Sequence, residues 1–428
     1  MGRPRLLINV FDLILSLSRV VDLMSPAIGK HHMQVGYLAY RIGEQMGVAE
    51  DQLRELMVAG ILHDIGAFSL DDRLDLLGFE DTHPGVHAEA GYLILNEVDL
   101  FSSVANLVRF HHTPWQNGKG LYQQNLAVPF RSHILHLADR IAVLIKPDQP
   151  ILGQVDEICK IIASRTGSCF HPDQVEAMRR LADKDYIWLE VTSEFLEAIL
   201  QRNFLHYGME LSNRQMLAFA GLICHLIDFK SAFTATHSSG VAASALCLSG
   251  VAGFSSRERR LMEIAAYLHD LGKLAIPSEI LEKKNKLNAE EWFVMRSHVY
   301  YTYETLTPFE ILRDVGAWSG MHQERLDGSG YPFGFYEDDI PYGARILAVA
   351  DVFTALTEDR PYRNRMKKHD ALDTMASMAE QGELDARLVK MVRDHYPEMN
   401  QNREAAQLQA NTAYKTFTDS IHQRPLVS

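Results

Sequence analysis

Cysteine is scarce in this chain, and so are long apolar runs, strand-like alternation and any excess of positive charge. The four cysteines, Cys159, Cys169, Cys224 and Cys247, form no CxxC pair and no disulfide-like framework, which points to a reducing cytoplasm. The best candidate for a membrane segment, Leu6 to Val21, is interrupted by Asp12 and Arg19 and reads as an amphipathic helix. The same Asp12 spoils a signal-peptide core, so no membrane partner is expected. With a net charge of -13, the chain has no broad basic face for a polymeric nucleic acid. A small anionic ligand in a local basic pocket stays open.

What is present is ample core: 428 residues, 47% of them hydrophobic, suggest two or three domains. Apolar residues recur at helical spacing almost throughout, as in Leu53-Leu56-Ala59-Ile61-Leu62 and Val349-Phe353-Leu356, and predict an all-α fold. Asn288-Ala289-Glu290-Glu291 reads as a capping box opening a helix that carries His298. Gly328-Ser329-Gly330-Tyr331-Pro332 must be a loop. The polar end, Asn400 to Ser428, reads as a frayed tail.

The organising stretch is His269-Asp270-Leu271-Gly272-Lys273, at the end of the apolar run Leu261 to Leu268. A His-Asp pair suits two metals: the imidazole takes one ion, and the two carboxylate oxygens can bridge it to a second. The pair has company in His237, His298, His322 and Asp351, and the whole constellation occurs twice. His31 precedes His63-Asp64 by 32 positions, as His237 precedes His269-Asp270. His87 precedes His111 by 24, as His298 precedes His322; Asp139 and Asp351 follow by 28 and 29. Even Asp22 and Asp228 each lie nine residues before the first histidine, where they read as structural acids or caps. The offset grows from 206 to 212, so the second half carries a few extra residues after its His-Asp pair. Isolated structural histidines would not repeat in this way. The pattern is that of two tandem helical domains, 1–205 and 206–400, with a polar tail over 401–428.

The second half resembles the HD-GYP domain. The likeness rests on His237-Ser238, His269 to Lys273, His298, the run His322-Gln323-Glu324-Arg325-Leu326-Asp327-Gly328-Ser329-Gly330-Tyr331-Pro332, Ala350 to Thr357, and Arg360-Pro361-Tyr362-Arg363. HD-GYP proteins are the bacterial HD phosphohydrolases that cleave cyclic dinucleotides, principally cyclic di-GMP. The resemblance implies two divalent metal ions, iron or manganese, held by His237, His269, Asp270, His298, His322 and Asp351. It implies attack by metal-bound hydroxide to give a linear dinucleotide, with Asp270 bridging the ions. Lys273 would contact the scissile phosphate, although its place after a helix also suits a cation stabilising the dipole. Arg325, Gly330, Tyr331, Pro332, Arg360 and Arg363 are the candidate substrate contacts, the arginines alternatively forming supporting salt bridges.

Two departures bear on activity. Family members have two adjacent histidines where this chain has His322-Gln323, and an amide oxygen is a poor ligand beside imidazole. A third-metal glutamate is replaced by Phe233, so two ions are expected. The first half, similar to the broader HD superfamily, keeps His31, His63, Asp64, His87, His111, His112 and Asp139 as a candidate second metal site. It lacks the lysine (Ala67), and Thr113 to Gly120 replaces the Gly-Tyr-Pro loop. It is expected to bind metal and to serve as a regulatory or dimerising domain; the candidate partners are a second copy of the chain or signalling proteins. Cyclic di-GMP and 3',3'-cyclic GMP-AMP both remain as substrates. The competing readings are a catalytically weakened signalling adaptor and a generic nucleotide phosphohydrolase.

Overall fold

The computed structural model describes residues 9–23, 29–67, 84–204, 211–230, 236–283, 285–359 and 364–423. The chain divides into two compact units, Ile8–Glu210 and Leu211–Asp419. Both are helical, as the apolar spacing predicts. The strands among the described residues are one two-residue antiparallel pair, β1 (Tyr122–Gln123) and β2 (Leu126–Ala127).

In the first unit, α1 (Val10–Asp22) leads into α2 (His31–Gln45) and α3 (Glu50–Leu62). After the undescribed stretch come α4 (Pro84–Leu95), α5 (Ser102–Arg109) and α6 (Phe130–Leu144). Helices α7 (Val155–Ser164), α8 (Pro172–Ala182), α9 (Asp185–Val191) and α10 (Leu196–Phe204) complete it. The expected stripe holds: Leu53, Leu56, Ala59, Ile61 and Leu62 are all buried. Helix α2 packs on α3 and α6. Gly36 and Gly60 allow that approach, since a Cβ on Gly60 would lie 2.5 Å from Gly36 Cα.

The second unit repeats this frame. It begins with α11 (Asn213–Lys230), α12 (His237–Val251) and α13 (Ser256–Leu268), followed by a 3-10 turn at Leu271–Ala275 and the short α14 (Ser278–Leu281). Then come α15 (Ala289–Leu306), α16 (Arg313–Gly320) and α17 (Tyr342–Thr357), with α18 (Lys368–Glu380), α19 (Ala386–Asp394) and α20 (Tyr396–Gln423) closing the unit. Helix α12 packs on α13 and α17. The predicted capping box opens α15: Asn288 Oδ1 accepts from Glu291 N at 2.9 Å, and Glu291 Oε2 accepts from Asn288 N at 2.8 Å. Val349, Phe353 and Leu356 are buried in the core of α17.

The end of the chain departs from expectation. The segment from Asn400, read as a frayed tail, continues α20 through Gln423. Polar side chains did not mean solvent here. Arg403 is 2% exposed and donates to Asn400 Oδ1 at 2.9 Å, while Phe417 stacks on Phe229 with ring centroids 4.4 Å apart. Among the described residues no helix is long and apolar enough to cross a membrane.

Candidate active site and its counterpart

Both units place their landmarks at the same points of the same helices. The first histidine (His31, His237) opens α2 or α12, and the His-Asp pair (His63-Asp64, His269-Asp270) ends α3 or α13. The third (His87, His298) sits inside α4 or α15, the fourth (His111, His322) just follows α5 or α16, and the aspartate (Asp139, Asp351) lies within α6 or α17. Gly66 and Gly272 let the turn after each pair press onto the third histidine's carbonyl. A Cβ would lie 2.2 Å from His87 O and 1.9 Å from His298 O.

Local backbone sets the direction of the rings. The Nδ1 atoms of His269, His298 and His322 donate to the carbonyls of Ala266, Met295 and Ser319, three residues earlier, at 2.6 to 2.7 Å. His63 and His111 do the same to Gly60 and Val108, at 2.8 and 2.6 Å. With Nδ1 spent on the backbone, Nε2 keeps its lone pair and faces the site.

In the second unit, His237, His269 and Asp351 converge in one group, and His269, Asp270 and His322 in another. His298 Nε2 joins them at 3.3 Å from Asp270 Oδ1, while His269 Nε2 lies 3.1 Å from Oδ2 of the same carboxylate. Asp270 therefore faces two imidazoles with its two oxygens. The buried Nε2 atoms of His269 and His298 have no hydrogen-bond partner. That donor set of imidazole and carboxylate, with orphaned lone pairs turned inward, fits divalent metal ions. Burial opposes charge on Asp270, but His269 and Lys273 outweigh it and hold the carboxyl well below the usual range. Burial and the neighbouring His269 push His322 down to about 3, so it offers a neutral ring.

Lys273 is in this site, with Nζ 2.6 Å from Asp270 Oδ2. Its turn is gripped by Lys230, whose ammonium is buried and donates to Leu274 O and Ile276 O at 2.8 and 2.7 Å. Gln323 turns its amide to Asp351, donating to Oδ2 at 3.2 Å. Glu358 holds Nδ1 of His237 at 2.9 Å and is held in turn by Gln407 of α20 at 2.8 Å. Burial works against charge on His237, but Glu358 and Asp351 lift its pKa to about 10.

The loop predicted at Gly328 to Pro332 is a loop, folded around a buried acid. Glu324, 3% exposed, accepts from the amides of Phe333 at 2.7 Å and Phe335 at 3.1 Å. Tyr331 N donates to Gln323 O at 3.2 Å. Gly330 is needed for packing, since a Cβ would lie 2.3 Å from Arg325 N. Arg325 pairs with Glu383 at 3.9 Å. Arg360, Arg363 and Phe233 lie outside the described residues.

In the first unit, His31, His63 and Asp64 converge, as do Asp64, His87, His111 and His112. The Nε2 atoms of His111 and His112 stand 3.3 and 2.8 Å from that of His87. Asp139 closes the set, 3.4 Å from His31 Nε2. Unpartnered Oδ1 atoms of Asp64 and Asp139, and Nε2 of His31, pass the same test for metal. Arg140, buried beside it, clamps Asp139 Oδ2 at 2.7 Å. The replacing loop is tied down: Trp115, Gln116 and Asn117 donate to the carbonyls of Cys169, Ser168 and Gly167 at 2.9, 2.8 and 2.7 Å.

Sequence reading missed Lys230, Glu358, Gln407, Arg140 and the organising part of Glu324. Only Glu324 and Glu358 had a signal, as acids inside otherwise matching motifs. Asp228 is the structural acid expected, accepting from Ser238 Oγ at 2.6 Å. Asp22 meets His32 Nδ1 at 2.5 Å.

HD-domain family models match residues 28–144 and 221–388. The 3'3'-cGAMP-specific phosphodiesterase 1 of Vibrio cholerae is 30% identical over 399 residues, which are 90% of this chain and 91% of that protein. The cyclic di-GMP phosphodiesterase response regulator RpfG of Xanthomonas campestris is 47% identical over 122 residues, 28% of this chain and 32% of that one. In fold, the chain is similar to the crystal structure of V-cGAP3, a cyclic GMP-AMP specific phosphodiesterase of V. cholerae. The TM-score is 0.61 at 22% identity, covering 96% of this chain and 98% of the other.

Proposed function

The chain belongs to the HD-GYP cyclic dinucleotide phosphodiesterases, and we propose that its second unit opens 3',3'-cyclic GMP-AMP to the linear dinucleotide in preference to cyclic di-GMP. The observation that supports the activity is the convergence of His237, His269, Asp270, His298, His322 and Asp351, with Lys273 at the edge of the set. The preference leans on the 3'3'-cGAMP-specific phosphodiesterase 1 of V. cholerae, which aligns along 90% of the chain.

His237, His269 and Asp351 would hold one divalent ion, and His298 and His322 a second, with Asp270 bridging. We read the pair as iron or manganese. Such ions supply Lewis-acid polarisation of the phosphodiester and an acidified water. The residues do the rest. Glu358 fixes His237 so that Nε2 faces inward. Lys273 carries a positive charge beside Asp270 and is open enough, at 18% side-chain exposure, to meet a phosphoryl oxygen. Lys230 holds the turn that aims it. Glu324 shapes the Gly-Tyr-Pro loop into the wall that carries Tyr331.

The adaptor reading has one supporting observation, that Gln323 stands in a histidine's place. The retained Lys273 and the formed loop speak for the enzyme. The test is chromatography of both cyclic dinucleotides with manganese- or ferrous-loaded protein and Asp270→Ala beside it. Faster loss of cyclic GMP-AMP, abolished in Asp270→Ala, is expected. Faster loss of cyclic di-GMP would overturn the preference, and tight nucleotide binding without turnover would make the protein an adaptor.

A further inference from the structure

Helix α15 carries a feature that metal binding does not use. Its inward face holds His298, yet its first two turns expose Trp292 (45%), Phe293 (65%) and Val294 (40%). What marks Trp292 is its place beside Arg296 and the Gly-Tyr-Pro loop, where an exposed ring can be covered by a ligand. Trp292 and Arg296 are four residues apart, so they share one side of the helix. Both turn to the Gly-Tyr-Pro loop. The Arg296 guanidinium lies 4.6 Å from the Tyr331 ring centre, and the Trp292 ring stands edge-on to the same ring at 6.2 Å. Tyr331 borders the ligand set through the backbone: its amide donates to the carbonyl of Gln323 at 3.2 Å, the residue that follows His322 and whose side chain reaches Asp351.

Two aromatic rings and a guanidinium plane beside a phosphodiester centre are what a purine nucleotide recognises. Bases stack on aromatic and guanidinium faces, and arginine pairs with the acceptor edge of guanine or with a phosphate. We propose that Trp292, Arg296 and Tyr331 form the surface that seats one purine of the cyclic dinucleotide, which makes the start of α15 a specificity-determining element. This rests on the cyclic dinucleotide reading above, and it adds residues that lie outside the motif run. It also accounts for the capping box at Asn288 and Glu291, which fixes the turn from which Trp292 projects.

The test uses the full, metal-loaded chain with 3',3'-cyclic GMP-AMP and, in parallel, the purine-free diester bis(p-nitrophenyl) phosphate. Trp292→Ala and Arg296→Ala should each raise KM for the cyclic dinucleotide about tenfold, in line with the loss of one stacked base. The change in kcat should stay within about threefold, so the ratio of the two substrates' KM values rises about tenfold. Trp292→Phe should restore most of the loss. An unchanged KM ratio would overturn the seat while leaving the phosphodiesterase reading intact. Equal losses on both substrates would overturn it too, because a structural role alone gives that result. Wild-type protein that cleaves the aryl diester and neither cyclic dinucleotide would overturn both readings together.

Discussion

The two units share a scaffold and differ in where they keep their positive charge. In the first, Arg140 clamps Asp139, both side chains are almost wholly buried, and Ala67 stands where the second unit has Lys273. In the second, the cation is Lys273 on Asp270, with 18% of its side chain exposed, and Asp351 is 16% exposed against 1% for Asp139. A buried guanidinium fixed to a terminal carboxylate stabilises a metal site. A partly exposed lysine beside Asp270 is open to a substrate. The ligand rings differ in the same sense. The first has His112 close against His87, whereas the second has an amide at Gln323 that turns to Asp351. We read the first centre as one for holding a metal and the second as one for access by a substrate.

The sharpest way to break that comparison is to move the lysine. Lys273→Ala should slow cyclic dinucleotide turnover by about 10²- to 10³-fold, the usual cost of removing one charge-stabilising donor. Metal content by elemental analysis should stay at the wild-type level. Ala67→Lys, made in a Lys273→Ala background, should restore nothing; recovery of turnover would show that the first unit lacks only this charge. Next in size is Glu358→Gln. Its carboxylate orients His237, and loss of such an outer partner costs about 10- to 100-fold in metal affinity or activity. Seven residues past Asp139 the first unit has Lys146, so no counterpart is expected there. A chelator titration that finds Glu358→Gln unchanged would remove Glu358 from the site.

Gln323→His sharpens the contrast in the opposite direction. An added imidazole should tighten metal binding about tenfold, and turnover at limiting metal should rise with it. Turnover rising from near zero at saturating metal would mean instead that the natural chain is the adaptor. His112→Gln is the mirror change in the first unit, and its expected result is weaker metal retention there with no effect on turnover.

Much of this was legible before any coordinates. Helical spacing gave the all-α fold, and the doubled intervals paired six candidate ligands of the first unit with six of the second, at matching points of corresponding helices. The legible part is local: the positions of the candidate ligands along helices follow from apolar spacing and the intervals between them. What stayed hidden depends on distant neighbours. Gln407 reaches Glu358 across 49 residues of sequence, and nothing in a polar run from Asn400 announces that its helix is held at Arg403. Lys230 finds its carbonyls 44 and 46 residues on. Gln323 was read as a weak ligand by its chemistry, but its amide could be seen to serve Asp351 only once both were placed.

The smallest effect separates the two units at their matching acids. Asp228 is 1% exposed and answered by the Ser238 hydroxyl, whereas Asp22 faces the His32 ring. Burial lifts the Asp228 carboxyl to about 7 from an ordinary value of 3.8. Between those two pH values the folded chain keeps a proton that the unfolded chain has released. Folding then takes up a proton, so stability falls as pH rises through that window and reaches its floor above about 7. Asp228→Asn keeps an acceptor for Ser238 and removes the ionisation. In calorimetry of metal-free protein its unfolding temperature relative to wild type should rise by a few degrees between pH 5 and pH 8, with about 1 kcal/mol giving roughly 2–4 °C in a domain of this size. The same shift at both pH values would mean that the amide packs better, and that the carboxyl is not the group that titrates.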